Sequence, residues 1–212
     1  CYAIVPFEVI VNTLPDFPTI SNFQICDPSG NTTADFILAD KDPEILNGQI
    51  GKEVFYFEIE NDALTGNLAN AIPKTLPYNS GSRTIYVRVE NVSDSSCFGT
   101  STFTLQVSPD PIYNSFENLD FFVCDDSSND GKNVFDLDAK KIEITQGSPD
   151  NLMVSFHLTL QQAENKTNVL PSQYTNATNP QTIYVRIESS DSFCFVVEEL
   201  GISIIATPDL LI

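Results

Sequence analysis

The heptapeptide Thr84-Ile85-Tyr86-Val87-Arg88-Val89-Glu90 returns 98 residues later as Thr182-Ile183-Tyr184-Val185-Arg186-Ile187-Glu188. Each copy alternates apolar with polar or amphipathic side chains at period two, the pattern of a strand with one buried face. Ile85, Val87 and Val89 are expected to face a core, and Tyr86, Arg88 and Glu90 to face outward or toward a neighbour. A period near 100 residues is the size of a whole domain, so the chain reads as a tandem array rather than a solenoid.

The cysteines keep the same period. Cys26 and Cys124 lie 98 positions apart, Cys97 and Cys194 lie 97 apart, and Cys1 precedes Cys97 by 96. Each member of the second series is followed by an apolar strand and then by a Pro-Asp step, at Pro15-Asp16, Pro109-Asp110 and Pro208-Asp209. Residues 1–14 therefore read as the terminal strand of a truncated preceding repeat, or as a strand donated to complete a neighbouring domain. Residues 20–110 form the first expected repeat and 116–208 the second. Phe55-Tyr56-Phe57-Glu58-Ile59 is aligned at an offset of 99 with Val154-Ser155-Phe156-His157-Leu158. Asn61 to Pro73 is expected to be a loop with one helical turn, matched by Gln161 to Pro171.

Tryptophan is absent, methionine occurs once, and 13 prolines punctuate the chain. Short β-branched and aromatic runs between turn signals predict an all-β fold, two tandem Ig-like β-sandwich domains joined by short Pro-containing linkers. No long amphipathic helix separates the strands, which argues against a parallel α/β fold. Cys26 is expected to pair with Cys97 and Cys124 with Cys194, one disulfide per domain. Each bridge closes a loop of about 70 residues, worth roughly 4 kcal/mol in the chain-entropy model. Disulfides place the chain in an oxidising compartment.

The formal charge of −19 argues against nucleic acid and anionic membranes as partners, because both need Lys and Arg to neutralise phosphate. It suits solubility or cation binding. The richest candidate is Cys124-Asp125-Asp126-Ser127-Ser128-Asn129-Asp130-Gly131. There Asp125, Asp126, Asn129 and Asp130, with Asp136 downstream, offer the oxygens that calcium prefers. An acidic Asx and Gly turn accounts for the same residues without a metal, and the spacing is not that of an EF-hand. The first repeat offers only Asp27, Asn31 and Asp35. A single histidine, His157, makes a Ser-His-Asp or Cys-His machine improbable, and its alternation with Val154 places it on a solvated strand face. No enzyme is expected within these residues.

Cys124-Asp125, Asp130-Gly131, Phe135-Asp136-Leu137, Gln181 to Arg186 and Cys194, with Tyr174-Thr175-Asn176 before Asn179-Pro180, together resemble repeats of very large surface proteins of gliding Bacteroidota. The second repeat resembles them throughout. The first departs, with Asp35-Phe36-Ile37-Leu38 in place of Phe-Asp-Leu and no Asp-Gly. The resemblance implies export by a type IX secretion system and a non-enzymatic stalk segment of an extracellular cell-surface adhesin, linked to attachment or gliding. Its expected partners are neighbouring repeats of the same long chain. Attachment to the outer membrane would then run through other parts of the protein, without membrane insertion here. Tyr86, Arg88, Tyr184 and Arg186 are expected to brace the sheet or the next domain. Two other readings stay open: a module that binds polysaccharide or protein directly, and an accessory region of a secreted hydrolase.

Overall fold

The two signature heptapeptides sit in the central strands of two similar sheets. The computed structural model describes residues 2–6, 11, 13–114 and 121–206, and the chain divides into two compact units near Val107. In the first unit β1 (Phe23–Asp27), β6 (Asp94–Pro109), β5 (Arg83–Asn91) and β3 (Lys52–Phe57) form a four-stranded sheet in that order. A two-stranded sheet joins β2 (Ala34–Phe36) to β4 (Tyr78–Ser80). The second unit repeats the plan. Its large sheet runs β7 (Phe121–Cys124), β12 (Phe195–Ile205), β11 (Gln181–Ser189) and β9 (Leu152–His157). Its small sheet pairs β8 (Val134–Asp136) with β10 (Gln173–Thr175). Both are the expected Ig-like β-sandwiches, low in helix.

Alternation does the local work. Ile85, Val87 and Val89 of β5 are buried against Phe36, Leu38, Ile45, Val54, Tyr56, Phe103 and Leu105. Ile183, Val185 and Ile187 of β11 do the same against Phe135, Leu137, Ile144, Phe156, Leu200 and Ile202. A T-shaped aromatic pair locks each small sheet to the first strand of the large one. Phe23 meets Phe36 at 5.2 Å, and Phe121 meets Phe135 at 5.1 Å.

Short helices fill the crossings. In the first unit α1 (Asp42–Leu46) starts on Pro43 and ends at Asn47 in the left-handed conformation, and α2 (Glu60–Thr65) ends at Gly66 with φ +69°. In the second unit α3 (Leu137–Thr145) is capped by Asp136, whose carboxylate accepts the Asp138 and Ala139 amides, and α4 (Leu160–Glu164) by the Thr159 hydroxyl. Helix α3 went unread in the sequence. The turn expected in Asn61 to Pro73 is α2 followed by a 3-10 turn at Leu68–Asn70.

The register corrects the expected alignment of the outer strands. Val54 lies opposite Val89 and Val154 opposite Ile187, so β3 and β9 correspond at an offset of 100, not 99. His157 thereby takes the place of Phe57, and both are fully buried. The expectation of a solvated histidine fails for another reason: residue 157 leaves its strand on the face opposite Val154 and Phe156, but that face is covered, and its ring lies between Ser155 and the Thr167 carbonyl.

Of the expected terminal strand, Cys1 and residues 7–10 and 12 lie outside the described residues, as does Pro208-Asp209. Thr13 offers its carbonyl to Lys52 Nζ at 2.9 Å and to Asn91 Nδ2 at 3.2 Å.

Candidate functional site

Arginine should be exposed at a strand position that alternates with core residues, yet Arg88 and Arg186 are 5% and 7% exposed. Each reaches over its sheet to the end of the short helix packed there. Arg88 Nη1 donates to the carbonyls of Ala63 (3.0 Å) and Leu64 (3.3 Å), Nη2 donates to that of Ser95 (3.1 Å), and Nε donates to Glu90 (2.8 Å). Arg186 Nη1 donates to the carbonyls of Ala163 (3.0 Å) and Glu164 (2.9 Å). Ala63, Leu64, Ala163 and Glu164 belong to the last turns of α2 and α4, where helix carbonyls carry partial negative charge. The guanidinium carbons stand 3.5 Å from the Phe98 ring centre and 3.3 Å from that of Phe195. The arginines thus brace the sheet within their own domain, clamping α2 to β5 and α4 to β11. Alternation alone could not show this, because it reports which side of the strand a residue leaves from and not what covers that side.

Lysines repeat the theme. Lys41 bonds Glu44 at 2.7 Å with its ammonium 5.7 Å from the Phe23 ring centre. Lys140 bonds Glu143 at 2.5 Å and lies 4.8 Å from that of Phe121. Lys74 pairs with Asp42 (2.8 Å), Arg83 with Glu58 (2.8 Å) and Lys166 with Glu188 (2.7 Å). Asp42 also accepts the Tyr56 hydroxyl at 2.6 Å; burial, reinforced by that carboxylate, drives the phenol's pKa far above its ordinary value.

The acidic loop is tied up by its own backbone. Asp125 is buried, its Oδ1 accepting the Asp126 amide (2.9 Å) and its Oδ2 that of Gly131 (3.0 Å). Asp126 accepts from Ser128 and Asp130 from Lys132, while Asn129 takes a positive φ. Asp136 is the α3 cap and leaves the loop altogether. No three acidic groups of the loop converge to within 4.8 Å of one another, among the described residues. These hydrogen bonds are those of an Asx and Gly turn.

His157 has both ring nitrogens engaged, Nδ1 at 2.7 Å from the Thr167 carbonyl and Nε2 at 2.9 Å from the Ser155 hydroxyl. The carbonyl requires a proton on Nδ1, so Nε2 accepts from Ser155 in the neutral ring. A Ser–His contact with no carboxylate behind it and no exposure offers a substrate no approach. A groove of about 340 Å³ is lined by Glu58, Ile59, Asp62, Asn70 and Ile72. Its acids are already committed, Asp62 to Asn67 and Asn70 and Glu58 to Tyr78 and Arg83.

The cysteines overturn the expected pairing. Cys97 and Cys124 are free thiols, and the disulfide joins Cys26 to Cys194. Register explains it. Cys124 lies opposite Ile205 at the end of β12, whereas Cys194 immediately precedes Phe195 at its start. Eleven strand residues separate those ends by roughly 35 Å, while a disulfide needs its Cα atoms about 4–7 Å apart. The first-strand and last-strand cysteines of one domain sit at opposite ends of its sheet, so the bond is made to the other domain. Residues 22–111 and residues 120–208 each match the Flavobacterium inter-domain disulphide bond domain. The chain belongs to that family.

No curated protein matches this inter-domain disulphide bond tandem. Among solved structures, one that it resembles is a SusE-like surface-located polysaccharide-binding protein from the Bacteroides thetaiotaomicron heparin utilisation locus. Identity is 14% and TM-score 0.31, over 92% of this chain and 35% of that one. Human mucin-like protocadherin EC1-2 (9%, 0.28, 88% and 96%) and the titin domains z1z2 in complex with telethonin (12%, 0.26, 94% and 100%) are similar to a like degree. The tandem thus spans about a third of the SusE-like chain, and TM-scores this low place it in none of those families.

Proposed function

We propose that this chain is a load-carrying spacer in an extracellular bacterial surface adhesin, without catalytic activity of its own, exported by a type IX system and serving attachment or gliding. The observation that carries the reading is the Cys26–Cys194 bond. Tension passing from β1 to β12 crosses through sulfur at Cys26–Cys194 and bypasses every strand between those two residues; only β1 and β12 themselves stay in its path. The two cysteines lie 168 positions apart, so the bond withholds on the order of 600 Å of contour at about 3.5 Å per residue. A bond of this kind needs an oxidising compartment, which agrees with a cell-surface location. No helix of the described residues is long and apolar enough to cross a membrane.

Pulling single molecules by their ends tests the proposal. Under oxidising conditions no domain-sized step is expected, and after reduction two sandwich-sized steps appear. Domain-sized steps in the oxidised chain would remove the mechanical reading. Binding of the isolated chain on a glycan array would favour instead the reading of a direct polysaccharide-binding module.

A further inference from the structure

Each unit is preceded by a leader without secondary structure, residues 13–22 before β1 and residues 110–114 near the start of the second unit. Both leaders are docked on the unit that follows them. In the first, the Thr13 carbonyl accepts from Lys52 and Asn91. The side-chain amide of Gln49 serves both backbone groups of Asp16, accepting from its N–H at 3.0 Å and donating to its carbonyl at 2.7 Å. Phe17 and Ile20 pack against the first core, and a Cβ on Gly99 of β6 would stand 2.6 Å from Phe17 Cε2. The Ser21 amide donates to Glu44 at 2.5 Å, and its carbonyl accepts from Lys41 Nζ at 2.8 Å. All of these hydrogen bonds use a side chain. Among the described residues, residues 13–22 make none from backbone to backbone. In the second leader, Ile112 donates its amide to Asp150 at 2.8 Å and accepts at its carbonyl from the Ser148 hydroxyl at 2.5 Å, and the Asn114 amide donates to the Ile144 carbonyl at 3.2 Å.

The Cys26–Cys194 bond treats the two leaders differently. Tension arriving from the N-terminal side runs through residues 13–22 before it reaches Cys26, whereas residues 27–193, the second leader included, are withheld by the bond. Beyond the bond, load falls on β12, which is paired with β11 from Phe195 to Ile202 and with β7 from Ile202 to Ile205. Ahead of it, β1 is paired with β6. The first leader is thus a loaded segment with no strand beside it. We propose that residues 13–22 are a detachable strap, the first element of the oxidised chain to yield under tension, which lets out slack and docks again while both sandwiches stay closed. A strap has a role only in a chain that carries load, so this rests on the spacer role proposed above.

Exposed side-chain hydrogen bonds contribute little net stability each, because water replaces them on release. A strand ladder instead resists as a cooperative unit with the sheet around it. The strap remains tethered at Phe23, and closing so short a segment again costs little entropy. Its release frees at most about 35 Å of contour, at about 3.5 Å per residue over residues 13–22. The notch that seats Phe17 is particular to the loaded leader. Gly99 lies opposite Val89, and at the same place in the second unit Val196 lies opposite Ile187. A valine is therefore compatible with the strand at that position but not with the ring lying on it.

The test holds the full oxidised chain by its ends at constant force. The wild type should show one early event, far smaller than a domain and reversed when the force drops. Gly99→Val, which expels the Phe17 ring, and Gln49→Ala, which unties Asp16, should each shorten the wait for that event about tenfold, the effect of one or two lost contacts. Gln49 lies outside the strands, so Gln49→Ala reads the same event even if Gly99→Val fails to fold. Asp150→Ala unties the second leader and should leave the early event unchanged, because the bond shields that leader from load. The proposal is overturned if the oxidised chain shows no event smaller than a domain, if Gln49→Ala leaves the wait unaltered, or if Asp150→Ala shortens it as much as Gln49→Ala does. Domain-sized steps in the oxidised chain would instead count against the spacer role, whatever the early event does.

Discussion

Arg88 and Arg186 hold the same position in the two domains, but their surroundings differ. In repeat 1, Glu90 takes the Nε proton of Arg88 at 2.8 Å, and Gly66 leaves room for the guanidinium; a Cβ there would stand 3.2 Å from Arg88 Cζ. In repeat 2, Lys166 occupies the corresponding left-handed position with φ +51° and draws Glu188 to itself at 2.7 Å, leaving Arg186 Nε 3.3 Å from that carboxylate with no hydrogen bond. The last place on the outer strand, fully buried although it lies opposite the core face, holds Phe57 in one domain and His157 in the other. What the two repeats share is the clamp of arginine on helix carbonyls and an aromatic face. What they vary is how the remaining polar groups near it are satisfied.

The largest effect should come from breaking the clamp. Arg88→Ala strips four hydrogen bonds and leaves Glu90 poorly exposed and unpaired. We expect a loss of about 4 kcal/mol, against about 3 kcal/mol for Arg186→Ala, where Lys166 still neutralises Glu188. Urea unfolding of each variant measures both, and equal losses would mean that the Nε contact contributes nothing. Exchanging Phe57 and His157 comes next. Phe57→His places a polar ring in a fully buried site that holds an apolar one and should cost about 3 kcal/mol, whereas His157→Phe, which orphans the Thr167 carbonyl, should cost about 1 kcal/mol. Thermal melts of the pair decide whether the two sites are as unlike as their partners suggest.

Asp125→Ala should cost about 2 kcal/mol, since two backbone amides lose their acceptor, and Asp27→Ala about half that, since Asp27 Oδ2 holds the Asn31 amide. Because the Asp125 oxygens are occupied, millimolar calcium should leave the melting temperature of the wild-type chain unchanged relative to chelator. A rise of several degrees would show that the loop rearranges around the ion. The smallest effect concerns acid. Burial pushes the Glu188 carboxyl up, but hydrogen bonds from Lys166 and Arg186, with their charges, outweigh it and leave its pKa below the ordinary 4.5. A depressed carboxyl contributes stability above about pH 4.5 that fades as pH falls through the lowered value. Glu188→Gln should therefore flatten the acid limb of the second domain's stability curve below about pH 4.5.

Much of the fold could be read from the repeat. The buried faces of β5 and β11 followed from period two, and their spacing fixed the count of domains. The phase of β3 did not, because Val54-Phe55-Tyr56-Phe57 is apolar throughout and alternation has nothing to grip; the ladder to β5 settles it. Helix α3 was hidden because Asp136 was read as a metal oxygen, although an Asp ahead of Ala139, Lys140 and Glu143 is also a helix-start signal. The cysteines illustrate the same limit. Sequence showed which cysteines are equivalent, but the four that lie in the two repeats allow three pairings, and only the length of β12 rules out the one within a domain.

The inward turning of the cations has a further consequence. Lys41, Lys74, Arg83, Arg88, Lys140, Lys166 and Arg186 each lie against a carboxylate of their own domain. Little positive charge is left to bridge one molecule to another, on a chain whose formal charge is −19. Copies crowded side by side would repel laterally like the bristles of a polyelectrolyte brush, over a Debye length of about 8 Å in physiological salt. Dilute buffer should stiffen such a layer, and brine should let it collapse.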